Sequence, residues 1–212
     1  MNIADLSIAK KVSEKGFLFF PSLCPSIPPE EAIGSLGSLL TLGKGPAVHY
    51  LTPKSKHDEP PNTYSGNFGL DIFPFHTGLA HHRHPPRYVI LRCIKGYPSV
   101  KKIGENSAKR ALVRSRRYVN GEILLLTLYE ETEIGHRFRW DKLFLQPASP
   151  QGTKVFDQVL EQIERQKTIE LSLIESGDTL IIDNWRMLHS RSSVPDLASD
   201  RKIARAYSEY LT

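Results

Sequence analysis

The chain has 212 residues, of which 40% are hydrophobic and 24% charged, and its formal net charge is +5. This length and composition predict a globular protein, and we expect residues 1–212 to form a single domain. No apolar run reaches the roughly 20 residues that span a bilayer, and residues 1–15 lack the continuous apolar stretch of a secretion signal. We therefore expect a cytoplasmic protein with no membrane partner.

The first third of the chain predicts short elements followed by a long loop. Residues 4–15 predict a helix and 16–20 a short strand. A second helix is expected to begin at Pro28-Pro29, because proline is favoured at helix starts, and to run to about Leu42. Residues 43–66 are rich in Gly, Pro, Lys and Ser and predict a loop.

The rest of the chain predicts a β-rich core. Five runs rich in β-branched and aromatic residues predict strands, at 87–94, 122–129, 168–174, 179–183 and 202–210. Residues 153–166 place their apolar side chains on one stripe and predict an amphipathic helix. A mostly β chain with a few helices outside is compatible with a jelly roll, although the pattern alone fits another α+β fold equally well.

Cysteines and basic residues carry weaker signals. Cys24 and Cys93 are too far apart for metal-ligand spacing and predict buried free thiols, which suits a reducing compartment. The basic run at 109–117, together with Lys101-Lys102, predicts either a solvated surface or a rim that steers an anionic substrate. A nucleic-acid partner is not expected, because no recognised binding motif is present.

Two separated segments carry the candidate chemistry. The first is Phe75-His76-Thr77-Gly78, and the second runs from Asp183 to His189 and is followed by Arg201. On a strand, residues i and i+2 face the same side, so we expect position 78 to face the same pocket as His76. His189 would reach that pocket from another strand.

With these residues in this order, the chain resembles the Fe(II)/2-oxoglutarate-dependent oxygenases, the superfamily of taurine dioxygenase and γ-butyrobetaine hydroxylase. The usual first motif of that superfamily is His-X-Asp or His-X-Glu, whereas this chain has the His-X-Gly variant associated with its halogenases. The resemblance implies a double-stranded β-helix (jelly roll) with flanking helices, 2-oxoglutarate as cosubstrate, and Fe(II) held by His76 and His189. It also implies that Gly78 leaves a position open for chloride, and that residues 43–66 form a mobile cover.

Further roles follow from the same resemblance. Arg201 matches the arginine that holds the distal carboxylate of 2-oxoglutarate, a role that suits the planar guanidinium fork. Ser99 is a weak substitute for a threonine that touches the same molecule. Arg205 is expected to contact substrate or 2-oxoglutarate, and Asn67 to contact substrate or support the metal ligands. Trp185 and Arg191 are expected to support those ligands or to pack.

The leading expectation is a halogenase that chlorinates an aliphatic carbon of a small anionic molecule such as a nucleotide, or of an amino acid. One alternative is a hydroxylase that takes water or a carboxylate such as Asp71 at the open position. Another is a catalytically silent binding protein. The histidines that follow the first motif, His81, His82 and His84, lack matching Cys or acidic ligands and predict loop residues in place of a zinc site.

Overall fold

The computed structural model describes residues 8–97, 100–105, 111–116 and 118–212. Four α-helices lie in this part of the chain, α1 Ile8–Lys15, α2 Pro29–Gly34, α3 Tyr64–Phe68 and α4 Pro150–Arg165, together with 3₁₀ turns at Lys56–Asp58 and Asp196–Ala198. The strands are β1 Phe17–Phe20, β2 Gly37–Leu39, β3 Val48–Leu51, β4 Phe73–His76, β5 Tyr88–Lys95, β6 Val100–Glu105, β7 Leu112–Ser115, β8 Leu125–Thr127, β9 Tyr129–Thr132, β10 Gly135–Phe138, β11 Leu145–Pro147, β12 Ile169–Ser172, β13 Thr179–Asp183, β14 Met187–Arg191 and β15 Lys202–Leu211.

Two antiparallel sheets form the centre of the molecule. The larger sheet has six strands in the order β1-β13-β5-β15-β2, with β3 also paired to β15. The smaller sheet has four strands in the order β12-β6-β14-β4. Strands that are distant in sequence are thus neighbours in both sheets, and the architecture is a jelly roll with flanking helices, as predicted.

The inner face of the larger sheet packs against the smaller sheet. Alternate residues of β5, such as Val89 and Leu91, join a buried cluster with Met187 of β14 and Leu171 of β12. The residues between them on β5 point the other way, as the two-residue period of a strand requires. Met187 and His189 share one face of β14, and this face turns His189 towards the space between the sheets.

Further layers cover the outer faces of both sheets. Helices α1 and α2 pack on the larger sheet, where Val12 and Ile33 are fully buried. Helix α4 and the three-stranded sheet β11-β7-β8 pack behind the smaller sheet through Leu188 of β14 and Trp140. Among the described residues, no helix is long and apolar enough to cross a membrane.

The second predicted helix is much shorter than expected. It ends at Gly34 instead of near Leu42, and the chain then forms β2 against β15. A Cβ atom at Gly37 would lie 2.2 Å from the Tyr210 carbonyl oxygen, so this strand pair depends on glycine for its close approach. The predicted loop at 43–66 is also partly wrong, because it contains β3 and the start of α3.

Most of the other predicted elements are confirmed. The amphipathic helix is α4, which begins at Pro150 behind the N-cap Ser149, whose hydroxyl accepts a hydrogen bond from Gly152 N–H. The strands predicted at 87–94, 179–183 and 202–210 are β5, β13 and β15. The run 122–129 is divided between β8 and β9.

Candidate active site

A cavity of about 420 Å³ lies between the two central sheets. The larger sheet contributes residues of β3, β5 and β15, and the smaller sheet contributes His76 and His189. Several residues between 52 and 65 also line it, and we call the whole segment from 52 to 71 the cover. The cavity therefore has two rigid walls and one wall of irregular structure, an arrangement typical of a small-molecule site.

The two predicted metal ligands lie side by side in this cavity. His76 ends β4 and is paired in register with His189 of β14, and their ring centroids are 4.4 Å apart. The His76 Nδ1 atom is 2.9 Å from the Pro74 carbonyl oxygen. A carbonyl only accepts, so in a neutral ring Nδ1 carries the proton and Nε2 keeps its lone pair. This is the tautomer that a metal-binding imidazole requires.

Gly78 lines the cavity but does not continue the strand. Strand β4 ends at His76 and residues 78–80 form a turn, so the expectation that positions 76 and 78 share one strand face is wrong. The Asn184 amide fixes this turn: its oxygen accepts from Gly78 N–H at 2.5 Å, and its nitrogen donates to the Gly78 and Pro86 carbonyls at 3.0 and 2.8 Å.

The space beside Gly78 is narrow at the Cβ position. A Cβ atom there would lie 3.2 Å from Tyr207 Cε1, 3.3 Å from Asn184 Oδ1 and 3.4 Å from Val89 Cγ2. These distances are close to van der Waals contact, so a small side chain needs shifts of a few tenths of an ångström. Glycine supplies no donor atom, and the main-chain turn is held by Asn184 whatever occupies the position.

In the part of the chain that the structure describes, no carboxylate completes the histidine pair. Among the described residues, no group of three His, Cys, Asp or Glu side chains is arranged to hold a metal ion. Asp71, the carboxylate considered as a substitute ligand, is mostly exposed and pairs with Lys56 at 2.6 Å, so it does not fill that role. The donor set that fits a metal here is two imidazoles, and the other positions would belong to cosubstrate, water or an anion.

A buried acid, which sequence reasoning missed, lines the same cavity. Asp141 is 1% exposed, and its Oδ1 accepts hydrogen bonds from Leu143 N–H at 2.8 Å and Phe144 N–H at 2.9 Å. Burial raises the pKa of Asp141 to about 6, against the smaller opposing effect of these two donors. The only hint in the sequence is the local turn Asp141-Lys142-Leu143-Phe144, which does not reveal the cavity.

Tyr64 was also missed, because it lies in the segment predicted as a loop. Its ring stacks on His76 with centroids 4.4 Å apart and an interplanar angle of 29°, and it also packs against Phe68, Phe73 and Phe144. Burial, and secondarily the charge of Asp141, raise the pKa of the Tyr64 phenol. The hydroxyl faces that carboxylate without meeting hydrogen-bond geometry. Tyr64 thus fastens the cover to a candidate metal ligand.

Three arginines line the cavity, and each has a buried Nε without a hydrogen-bond partner. Arg201 is 6% exposed, and burial lowers its pKa. Arg205 lies on β15, with its guanidinium carbon 5.2 Å from the Tyr207 ring centroid. Arg191 lies on β14, two residues after His189. The structure therefore brings together His76, Gly78, His189, Arg201 and Arg205, as the sequence led us to expect.

The other predicted residues lie elsewhere. Ser99 is outside the described residues, as are Lys109, Arg110 and Arg117 of the basic run. Asn67 does not line the cavity, because its amide donates to the carbonyls of Pro61 and Thr63 inside the cover. Trp185 holds the loop after the first motif through a 2.9 Å hydrogen bond from Nε1 to the Pro85 carbonyl.

Comparison with known proteins finds similarity in structure alone. No protein-family model and no curated protein matches the sequence. A structure of asparagine oxygenase in complex with Fe(II), 2S,3S-3-hydroxyasparagine and succinate superposes with a TM-score of 0.69 at 15% identity, covering 95% of this chain and 77% of that one.

Two structures of the non-haem iron oxygenase OrfP are also similar. The complex with Fe, succinate and (3S)-hydroxy-L-Arg has a TM-score of 0.68 at 19% identity, covering 95% of this chain and 77% of that one. The complex with Fe and alpha-ketoglutaric acid has a TM-score of 0.62 at 19% identity, covering 84% and 61%. At these identities the likeness establishes the fold, which is the jelly roll found in these non-haem iron oxygenases.

Proposed function

We propose that this protein is an Fe(II)- and 2-oxoglutarate-dependent oxygenase that hydroxylates a small anionic molecule. His76 and His189 hold the metal, Arg201 holds the distal carboxylate of 2-oxoglutarate, and the rest of the cavity receives the substrate. The proposal rests on the likeness to iron oxygenases, which supplies the reaction class, and on the contents of this cavity, which supply the residues.

The observation that carries the proposal is the in-register pairing of His76 with His189 in a cavity that also contains Arg201. The carbonyl of Pro74 fixes His76 with Nε2 unprotonated, which is the state that ligates a divalent metal. Arg201 is buried without an acid partner in the described part of the chain. A buried cation of this kind is stabilised by a bound carboxylate.

Each wall of the cavity has a distinct task in this proposal. Fe(II) and 2-oxoglutarate, when bound, would supply the oxidative chemistry, with succinate and carbon dioxide as coproducts. His76 and His189 orient the metal, since both are fixed on paired strands. Apolar side chains from the larger sheet, including Val89 and Leu91, and the cover residue Tyr64 exclude water from the reacting carbon.

Hydroxylation is favoured over other outcomes by the structures that share this fold. The asparagine oxygenase complex contains a hydroxylated asparagine and the OrfP complex a hydroxylated arginine, each with iron and succinate. A substrate of similar size suits a cavity of about 420 Å³. Arg205 and Arg191 favour a substrate that carries at least one negative charge.

The test is metal binding followed by succinate formation. We expect one Fe(II) per chain under anaerobic conditions, and 2-oxoglutarate-dependent succinate release that His189→Ala abolishes. Arg165→Gln is the matched control, because Arg165 lies on the exposed surface of α4 and pairs only with Glu161 in the described structure. Stoichiometric binding of 2-oxoglutarate without succinate release, across a panel of amino acids and phosphate esters, would instead identify a binding protein.

Halogenation is the second candidate, and one observation favours it. Gly78 contributes no donor atom, and in the described structure no carboxylate joins the histidine pair as a third ligand. An anion such as chloride would then complete the coordination. Product mass measured with chloride, with bromide and without halide separates the two reactions, since only a halogenase gives products whose mass follows the halide supplied.

A further inference from the structure

Arg191 is fixed in an unusual position between the cavity and the cover. Its Nη2 donates hydrogen bonds to two cover carbonyls, that of Gly69 at 2.6 Å and that of Asp71 at 2.7 Å. Its guanidinium carbon lies 3.5 Å from the centroid of the Phe73 ring. The Nη2 group is thus used for two hydrogen bonds, and one face of the guanidinium is stacked on the Phe73 ring. The Nε–H is buried, lies in a side chain that lines the cavity, and has no acceptor.

The surroundings of Arg191 lack a balancing negative charge. No ion pair involves Arg191, Arg201 or Arg205 in the part of the chain that the structure describes. Arg191 and Arg201 line the same cavity, so their positive charges share one buried space. The carbonyl of Asp71 accepts a hydrogen bond from Arg191, but the Asp71 carboxylate is exposed and pairs with Lys56. Two like charges held together under burial are stabilised most by an anion.

We propose that Arg191 binds a carboxylate or phosphate group of the substrate through the guanidinium N–H groups that no described residue accepts, the Nε–H among them, and thereby couples substrate binding to the order of the cover. This inference rests on the proposed function, in which Arg201 binds 2-oxoglutarate. Arg191 then binds the anionic group of the substrate, which is the second anion in the cavity.

The coupling follows from the shared guanidinium. An anion bound to these N–H groups restricts the rotation of the whole planar guanidinium, and the Nη2 donors to Gly69 and Asp71 lie in the same plane. Anion binding therefore orders the cover carbonyls, and an ordered cover pre-organises Arg191 for the anion. Linkage requires the two effects to be equal in free energy.

Hydrogen–deuterium exchange of the full chain tests this inference. The cover amides 64–71 are followed in the presence of 2-oxoglutarate, before and after addition of inorganic phosphate or, in a second arm, acetate. We expect one of the two anions to slow exchange about tenfold in the wild-type protein. The arm that responds identifies a phosphate-bearing or a carboxylate-bearing substrate.

Two substitutions separate an anion-binding role from a structural one. Arg191→Gln should speed cover exchange, abolish the slowing by anion, and weaken anion binding measured by calorimetry at least about tenfold. Arg191→Lys should retain most of the anion affinity through its charge but lose the coupling, since an ammonium group cannot hold both carbonyls and the anion in one plane. Arg165→Gln on α4 should behave as wild type.

The inference is overturned if neither anion slows exchange in the wild-type protein, or if Arg191→Gln keeps the wild-type response to anion. Succinate release is measured on the same preparations. An Arg191-dependent anion effect without any succinate release would refute the oxygenase and leave the anion site, whereas succinate release without an anion effect would refute the anion site alone.

Discussion

Asp141→Asn should remove a pH-dependent loss of stability from the metal-free protein. Asp141 is 1% exposed, and burial raises its pKa from 3.8 to about 6. Because the folded state holds a proton that the unfolded state has released between about pH 4 and pH 6, wild-type stability falls as pH rises through that window. The stabilisation that protonated Asp141 gives to the folded state is fully present below about pH 4 and is lost above about pH 6.

The magnitude follows from the shift of about 2 pH units. At 1.36 kcal/mol per unit, the free energy of unfolding changes by about 3 kcal/mol through this one group. Asparagine does not titrate, and its Oδ1 can accept the same hydrogen bonds from Leu143 and Phe144. The difference in unfolding free energy, variant minus wild type, should therefore grow by about 3 kcal/mol between roughly pH 4 and pH 7.

Urea unfolding followed by tryptophan fluorescence at several pH values measures this difference, and the titration of all other groups cancels. Asp157→Asn is the control, because Asp157 lies on the exposed side of α4. Wild-type and Asp141→Asn stabilities that run parallel across the whole pH range would refute the argument. They would show that the carboxylate is better solvated than its position beside the cavity indicates.

Three further predictions test the remaining site. Arg201→Ala should weaken 2-oxoglutarate binding by about 2–5 kcal/mol and Arg205→Ala by much less, and equal affinities by anaerobic titration would contradict the assignment. Gly78→Asp should tighten Fe(II) binding and end any halogenation, whereas Gly78→Ala, which adds the Cβ atom without a donor, should not tighten it. Tyr64→Ala should cost about 3 kcal/mol of stability through the lost packing on His76 and the phenylalanines. Tyr64→Phe keeps that packing and should cost little, because no described group meets hydrogen-bond geometry with the hydroxyl.

The parts of the fold that the sequence predicted well are those with strong periodicity. The long amphipathic stripe of α4 and the β-branched runs of β5, β13 and β15 bury large apolar faces, and burial enforces their secondary structure. Strands β2 and β3 were missed because their pairing depends on β15. The close approach at Gly37 and the register of Val48 against Ala206 are tertiary facts with no local signal.

The site divides in the same way. The motif and the resemblance identified His76, His189 and Arg201, and the strand register brings the two histidines together. Asp141 and Tyr64 escaped notice because neither belongs to a motif: one follows a buried tryptophan and the other lies in the cover. Tyr64 packs against the Phe144 ring, and the Asp141 carboxylate accepts a hydrogen bond from the Phe144 N–H; no spacing in the sequence reveals either contact.

The charges of the cavity connect the two candidate reactions to the Arg191 inference. With neutral His76 and His189 as ligands, Fe(II) would add two positive charges to those of three arginines. 2-Oxoglutarate supplies two negative charges, and Asp141 supplies one when it is ionised. About two positive charges then remain, one for an anionic substrate group and one for an anionic ligand beside Gly78. Under the proposed function, an aspartate at position 78 would supply that second anion from the chain itself, whereas with Gly78 it would have to come from solution. The choice between hydroxylation and halogenation would then depend on which anion the cavity admits.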